Sequence, residues 1–396
     1  MLEFFSASTR MVNPQRAVLE CLESALGGEA QDCDLVIAHA SVGHDLGQLV
    51  DPIRRQCPGA RVVGASCAGI IGREGVSESL KDVALMAVRG REFAVAHVEG
   101  IYGHNAYAKA VELATRLHAA DPGVRMVFLL APGIDIANDQ VLAGIEAVLG
   151  PEVTIFGATA SDNMRGLTTY QAVDAQVFEH AACAVGFSDP TLEVDTQATH
   201  GFVASGEPLR VTHSAGNRII TLDGRPAWQA YTARLGLPAT ATLADTIPIG
   251  ALAERLPPEL AAEYGNDHLL RVVTHREADG VMVYPTECPE GTELWLTVRD
   301  EARIFADMDR MVARMRAGAR GRVPVAVFQA DCLARGRRLF NRIIKEELVA
   351  RMQHPFSPAG SPPPWLGMYG FGEYARLGGA NAYHNYTTAL AALYRN

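Results

Sequence analysis

No apolar run in this chain reaches the roughly eighteen residues that a membrane-spanning helix needs, which argues against a helical membrane protein. The amino terminus, MLEFFSASTR, has neither the basic start nor the apolar core of a signal peptide. Together these absences lead us to expect a cytoplasmic protein without a membrane span. Positive charge is also scarce: the formal net charge of -10 and a pI near 5.7 argue against a general nucleic-acid partner. The two basic runs, Arg314 to Arg322 and Arg335 to Arg342, read as solvated helix faces. The seven cysteines show no CxxC spacing, so neither a disulfide framework nor a zinc site is indicated. CxxCH is absent as well, which excludes ordinary covalent c-type haem attachment. Walker and Rossmann patterns are missing. Gly157-x-x-x-Ser161 departs from a nucleophile elbow, because the nucleophile would be Thr159 between Ala158 and Ala160.

What the chain does contain is one pattern three times over. Val62 to Ile70 (VVGASCAGI), Ile155 to Asn163 (IFGATASDN) and Trp365 to Glu373 (WLGMYGFGE) each begin as a buried strand. Each then reaches a glycine (Gly64, Gly157, Gly367) followed by small residues, where a strand is expected to end in a tight turn. Upstream of each lies another apolar run: Leu35 to Ala40, Met126 to Ala131 and Val323 to Ala330. A helical segment separates the two runs, and a further apolar run follows at Val83 to Val88, Ala181 to Phe187 and Thr387 to Leu393. The repeat is strand, helix, strand, small-residue loop, strand. Such units leave a sheet face uncovered unless they pack on one another, which points to an old internal duplication.

The remaining segments fit around these units. Residues 14 to 28 form an amphipathic helix behind Asn13-Pro14, Phe93 to Val98 a strand, and Tyr107 to Ala119 a helix. The second unit is placed at Arg125 to Ser188. Strands are expected at Glu193 to Thr199, Leu209 to Thr212 and Arg218 to Leu222, and later at LLRVVT, GVMVY and ELWLTV. A helix from Asp300 to Ala317 aligns Ile304, Met308, Met311, Val312 and Met315, a stripe that suits core packing better than a ligand pocket. Ser357 to Pro364 reads as a surface loop. The fold expected is α/β, with mixed sheets and packed helices, built from repeated strand-helix-strand-loop-strand units in two halves that share a cleft. The boundary between the halves falls near Gly224, giving domains 1–224 and 225–396.

The chemistry-bearing residues gather at the repeated loops. Backbone amides in a turn after a strand can converge on a ligand, and small side chains such as Ser66, Ala68, Thr159 and Ser161 leave room for it. The same residues serve equally well for close packing of the units. Cys332 follows a strand, with Arg335 three positions on. If a helix starts there, both its positive end and the guanidinium lower the thiol pKa, and His384 beside Asn385 would be the candidate base. An inert buried cysteine is the competing reading. His384 is placed at the start of the last strand and His180 at the comparable place in the second unit, and either imidazole could hold an iron. Tyr369 and Glu373 are the polar groups expected to face the same crevice.

VVGASCAGI, IFGATASD, FQADCLARG, LGMYGFGE and the terminal YHNYT, in that order, resemble the FIST sensory domain with its N-terminal and C-terminal parts. The resemblance implies an intracellular signal-input protein that binds a small ligand, with amino acids as the general ligand class, and not an enzyme. It agrees with the loop reading on one crevice, where ligand contacts are expected from Gly64, Ser66, Cys67, Gly157, Thr159, Ser161, Asp162, Cys332, Arg335, Tyr369, Glu373, His384 and Asn385. One branch of similar stand-alone proteins binds haem b, senses nitric oxide and acts on a separate histidine kinase. The lack of a kinase, cyclase or methyl-accepting segment suits such an input protein, with His384 or His180 as haem ligand. An amino-acid sensor without haem and a cysteine hydrolase using Cys332 are the alternatives.

Overall fold

The structure, a computed structural model, describes residues 1–27, 32–163, 165–335, 342–357 and 360–396. Three units follow one another with the same order of elements: lead strand, helix, inner strand, helix, second inner strand, hairpin and return strand. In the first unit the lead strand is Glu3–Thr9, the inner strands are Leu35–Ser41 and Arg61–Cys67, and the return strand is Val83–Arg89. The second uses Phe93–Glu99, Met126–Ala131, Thr154–Thr159 and Ala181–Phe187. The third uses Leu192–Thr199, Ala326–Cys332, Trp365–Gly370 and Thr388–Arg395. The units are thus longer than the sequence pattern implies. Phe93–Glu99 and the helix Ala106–Ala120 open the second unit instead of preceding it.

Pairing is the same in all three. The inner strands run parallel, the return strand lies antiparallel beside the first of them, and the lead strand closes the edge. The opposite edge is completed by another unit. The second unit's hairpin, Tyr170–Val173 with Gln176–Glu179, joins the first sheet, and the third unit's, Gly372–Leu377 with Ala380–His384, joins the second. The first unit's hairpin, Ile70–Gly72 with Gly75–Ser77, joins the third. This cyclic exchange produces three six-stranded mixed sheets. No unit completes its own sheet, which is the physical reason the pattern occurs as a set.

The inner faces of the sheets meet in one core. Ile37, Phe128 and Phe328 share a register position, and Phe128 lies 5.0 Å from Phe328 and 5.8 Å from Phe156, centroid to centroid. Each such side chain contributes roughly 1.5–3 kcal/mol on full burial. Each outer face is covered by its own unit's two helices, Pro14–Leu26 with Leu46–Gln56, Ala106–Ala120 with Asn138–Leu149, and Glu301–Ala319 with Arg342–Gln353. The caps are local: Asn13, Asp45 and Asp300 side chains accept the orphan amides of Arg16, Gly47 and Arg303. Ile304, Met308, Met311, Val312 and Met315 are all buried in the third outer layer, so the methionine stripe is core.

A fourth sheet interrupts the third unit. Between Leu192–Thr199 and Glu301–Ala319 the chain forms eight strands from Phe202–Ala215 to Glu293–Arg299. Gly224 lies here, in the turn between Arg218–Leu222 and Arg225–Pro226, with φ 72°. The repeated glycines do not end their strands, contrary to expectation. Arg61–Cys67, Thr154–Thr159 and Trp365–Gly370 all run past them. The glycines are needed for close approach, because a Cβ at Gly64, Gly157 or Gly367 would meet the carbonyl oxygen of Ala38, Leu129 or Gln329 on the neighbouring strand.

Candidate functional site

Beyond the repeated glycines the three inner strands converge and bind one another. Ser161 N–H donates to the Ser66 carbonyl at 3.0 Å, Ala68 N–H to the Tyr369 carbonyl at 3.1 Å, and Phe371 N–H to the Thr159 carbonyl at 3.2 Å. The hydroxyls continue the seam: Ser66 Oγ donates to the Ser161 carbonyl and accepts from Tyr170 N–H, while Ser161 Oγ donates to the Tyr369 carbonyl at 2.6 Å. These amides join the units to each other. Asp162 caps the following turn by accepting from Arg165 and Leu167 amides. Cys67 is buried at the seam, and burial pushes its thiol up to about 12.

On the third unit's side the seam opens into a node of buried polar groups. Arg335 donates Nε–H to Asp331 Oδ1 at 3.0 Å and Nη1–H to the His200 carbonyl at 3.2 Å. Burial raises Asp331 to about 6 against the lowering effect of that guanidinium. Glu373 Oε2 accepts from Thr387 Oγ1 at 2.6 Å and from its amide at 3.4 Å. Burial drives Glu373 well above the ordinary carboxylate range. Asn385 donates to the Phe371 carbonyl at 2.9 Å and accepts from Val272 N–H. Two atoms in this node have no partner among the described residues: Arg335 Nη2, a donor, and Glu373 Oε1.

The insertion is tied into the same node. Tyr264, at the end of the helix Pro258–Tyr264, donates its hydroxyl to His384 Nδ1 at 3.2 Å, and Arg271 donates to the Tyr383 carbonyl at 2.7 Å. A surface cleft of about 1010 Å³ runs along the far side of that helix, between Pro258, Gly265, Trp295 and Arg303.

Since the Ala375 carbonyl only accepts, His384 Nε2 carries the proton it donates there at 3.3 Å, leaving Nδ1 to accept from Tyr264. Both nitrogens of this buried ring are thereby engaged. Burial holds the ring neutral, lowering it to about 3. His384 closes the hairpin strand Ala380–His384 and does not start the last strand. The register makes Tyr386 the third unit's equivalent of His180, both left-handed at φ 54° and 48°, so His384 is not its counterpart. The ladder His384, Glu373, Ala158, Leu130, Cys183 spans four strand spacings, about 19 Å, and His180 lies three residues further on. The two imidazoles do not fit one haem between them. His180 instead packs its ring on Tyr102 at 4.5 Å. Among the described residues no group of three or more His, Cys, Asp or Glu is placed to hold a metal ion.

The expected residues thus divide. Ser66, Cys67, Ser161 and Tyr369 form the seam; Thr159, 3.5 Å from the Tyr383 hydroxyl, connects it to the node of Cys332, Arg335, Glu373, His384 and Asn385. Gly64 and Gly157 lie at sheet joints, and His180 stands apart. Cys332 ends its strand and enters a single 3-10 turn, Leu333–Arg335. Burial, then Glu373, raises its thiol well above the ordinary range, the reverse of activation. Arg335 serves Asp331, and His384 serves Tyr264, so neither assists the thiol. Arg335 is also no solvated helix residue, being 1% exposed; residues 336–341 of that basic run lie outside the described residues, as do 358 and 359 of the Ser357 to Pro364 loop. Sequence reading missed Asp331, whose charge inside an apolar strand was the available signal. It also missed His200, Tyr264, Arg271 and Thr387, whose approach is tertiary.

Comparisons with known proteins bear on this geometry. The FIST N domain model matches residues 34–225 and the FIST C domain model residues 227–376. None of the curated proteins matches the chain. Among solved structures, a cyanuric acid hydrolase aligns over 100% of both chains at 9% identity and a TM-score of 0.35. A second, from A. caulinodans, covers 76% of this chain and 100% of its own at 11% identity and 0.30. PurLQS from Thermotoga maritima covers 100% of this chain and 72% of its own at 11% identity and 0.23. At these scores the likeness carries no argument about activity.

Proposed function

The chain belongs to the FIST family, and on that premise we propose that its small-ligand sensory role is exercised at the buried node of Asp331, Arg335, Glu373 and Asn385. FIST domains are small-ligand sensory domains, which supports a binding rather than a catalytic protein. The observation that carries the site is the pair of unpartnered buried atoms, Arg335 Nη2 and Glu373 Oε1. Buried polar groups are costly to leave unpaired, at roughly 1–3 kcal/mol each, and a ligand that pairs with them recovers that cost. A guanidinium donor beside carboxyl groups suits an amino acid, whose own carboxylate and ammonium are the complementary pair.

The node is closed, so binding requires it to open and then stabilises the arrangement that holds the ligand. His200, Tyr264 and Arg271 would carry that change into the insertion. A separate partner reading the insertion, with a histidine kinase as the candidate, completes this account. Haem and nitric oxide are not carried into it, because His384 has both ring nitrogens engaged and stands too far from His180 for the two to share one iron. The test is amide hydrogen exchange with and without each of the common amino acids. A ligand is expected to slow exchange in Ala326–Cys332, Trp365–Gly370 and Pro258–Tyr264. Protection confined to other segments would overturn the assignment of the site.

A further inference from the structure

Gln171 and Glu373 occupy the same position in successive units. Gln171 pairs with Ala65 and Glu373 with Ala158, each next to the residue that faces the repeated glycine. Gln171 clasps two backbone groups of its own unit: Nε2 donates to the Ala131 carbonyl and Oε1 accepts from Ala181 N–H, both at 3.3 Å. Glu373 reproduces the second contact, for Thr387 is the counterpart of Ala181, each following the left-handed residue before its return strand. The counterpart of Ala131 is Asp331, since these pair with Thr159 and Tyr369, two residues beyond their glycines.

This leaves Glu373 Oε1 where the second unit uses an N–H donor toward a carbonyl. An ionised carboxylate oxygen in the place of that N–H would set two acceptors together in a fully buried interior. The groups facing Glu373 do not resolve the conflict. From the adjoining inner strand come Asp331 and Cys332, from its turn Arg335, from the hairpin Tyr383 and His384, and from the helix of the insertion Tyr264. Arg335 gives Nε–H to Asp331 and Nη1–H to the His200 carbonyl while its Nη2 makes no hydrogen bond to Glu373, and the nearby Arg271 is engaged by Glu254 and Tyr383.

We propose that Glu373 Oε1 carries a proton at neutral pH, standing in for the amide of Gln171, and that a primary ammonium group of the ligand displaces this proton on binding. The second clause rests on the ligand site proposed above; the first does not. The step balances: a neutral acid and an ammonium ion become a carboxylate–ammonium pair, and one proton leaves to solvent. Binding is therefore linked to pH, tightening up to tenfold for each unit that pH rises towards the pKa of the ligand-free carboxyl.

Glu373→Gln supplies the test, because glutamine is the residue the second unit already accommodates here. Ligand-free wild type and Glu373→Gln are unfolded in urea from pH 5 to pH 8. A native state that holds a proton the unfolded chain has released loses stability as pH rises above the unfolded carboxyl value, about 4.3. The folding constant of wild type should therefore fall up to tenfold per pH unit relative to Glu373→Gln. Parallel curves overturn the protonated acid, whatever is learned about ligands. Wild type is then titrated calorimetrically with glycine, L-leucine and n-butylamine in buffers of different ionisation enthalpy. Release of one proton per bound amine is the expected result, and binding without proton release overturns displacement. If none of the three binds while the stability curves diverge, the protonated carboxyl stands and the amine site falls.

Discussion

Arg335 donates Nε–H to Asp331 Oδ1 at 3.0 Å, four residues away along the chain, with each side chain only 1% exposed. The pair sits where the strand Ala326–Cys332 leaves its sheet, and it anchors the node to the insertion through the His200 carbonyl.

Removing one member should therefore cost more than removing both. Arg335→Ala leaves a buried carboxyl without its partner and is expected to destabilise by about 3–5 kcal/mol. The double substitution Asp331→Leu with Arg335→Met should recover most of that loss. Urea denaturation of wild type and the two variants checks this; equal losses for the single and the double variant would contradict it.

The repeated glycines should differ in their tolerance of alanine. Gly157 combines a φ of 132° with a carbonyl in the path of a Cβ, whereas Gly64 meets its carbonyl at 2.9 Å in an ordinary backbone conformation. Gly157→Ala is expected to cost roughly 3 kcal/mol or more, from strain and overlap together. Gly64→Ala should cost visibly less. Thermal denaturation of the two side by side gives the ordering.

His39 should make the fold acid-sensitive. Its register counterparts are Leu130 and Ala330, so only the first unit places an imidazole there, against Phe128 at 6.2 Å. Burial lowers it from 6.5 to about 4. The native state keeps the ring neutral while the unfolded chain takes up a proton, so its contribution is lost as pH falls from 6.5 towards 4. His39→Leu should remove that dependence, gaining roughly 3 kcal/mol on wild type between pH 7 and pH 4. Identical slopes for the two proteins would show that His39 is charged in the fold.

Cys332 should resist alkylation. Its raised thiol and its burial predict labelling by iodoacetamide only on the timescale of unfolding. Rapid native labelling of this thiol, identified by mass spectrometry, would revive a nucleophilic role.

Much of the fold was legible because it is local. Periodicity and caps placed the helices Pro14–Leu26, Ala106–Ala120 and Glu301–Ala319 within a residue or two, and the glycine-bearing strands revealed the repeat. The hairpin exchange was not legible: Ile70–Gly72 crosses to the strand Trp365–Gly370, and no local pattern encodes a partner so far along the chain. The same limit applies to the node. Cys332, Arg335, Glu373, His384 and Asn385 were readable from the third unit alone. Tyr264 on His384 and His200 on Arg335 arise from packing the insertion against it. The register likewise decides that His180 matches Tyr386, which spacing to the next apolar run had obscured.

The most direct test of the node as a ligand site is a thermal-shift screen of the twenty common amino acids against wild type and Glu373→Gln. A ligand that binds only the native state raises its melting temperature with concentration, by RT ln(1 + [L]/Kd) in free energy. The account predicts that at least one amino acid stabilises wild type in this way and that Glu373→Gln loses the response while remaining folded. Amino acids that shift both proteins equally, or none that shifts wild type, would contradict it.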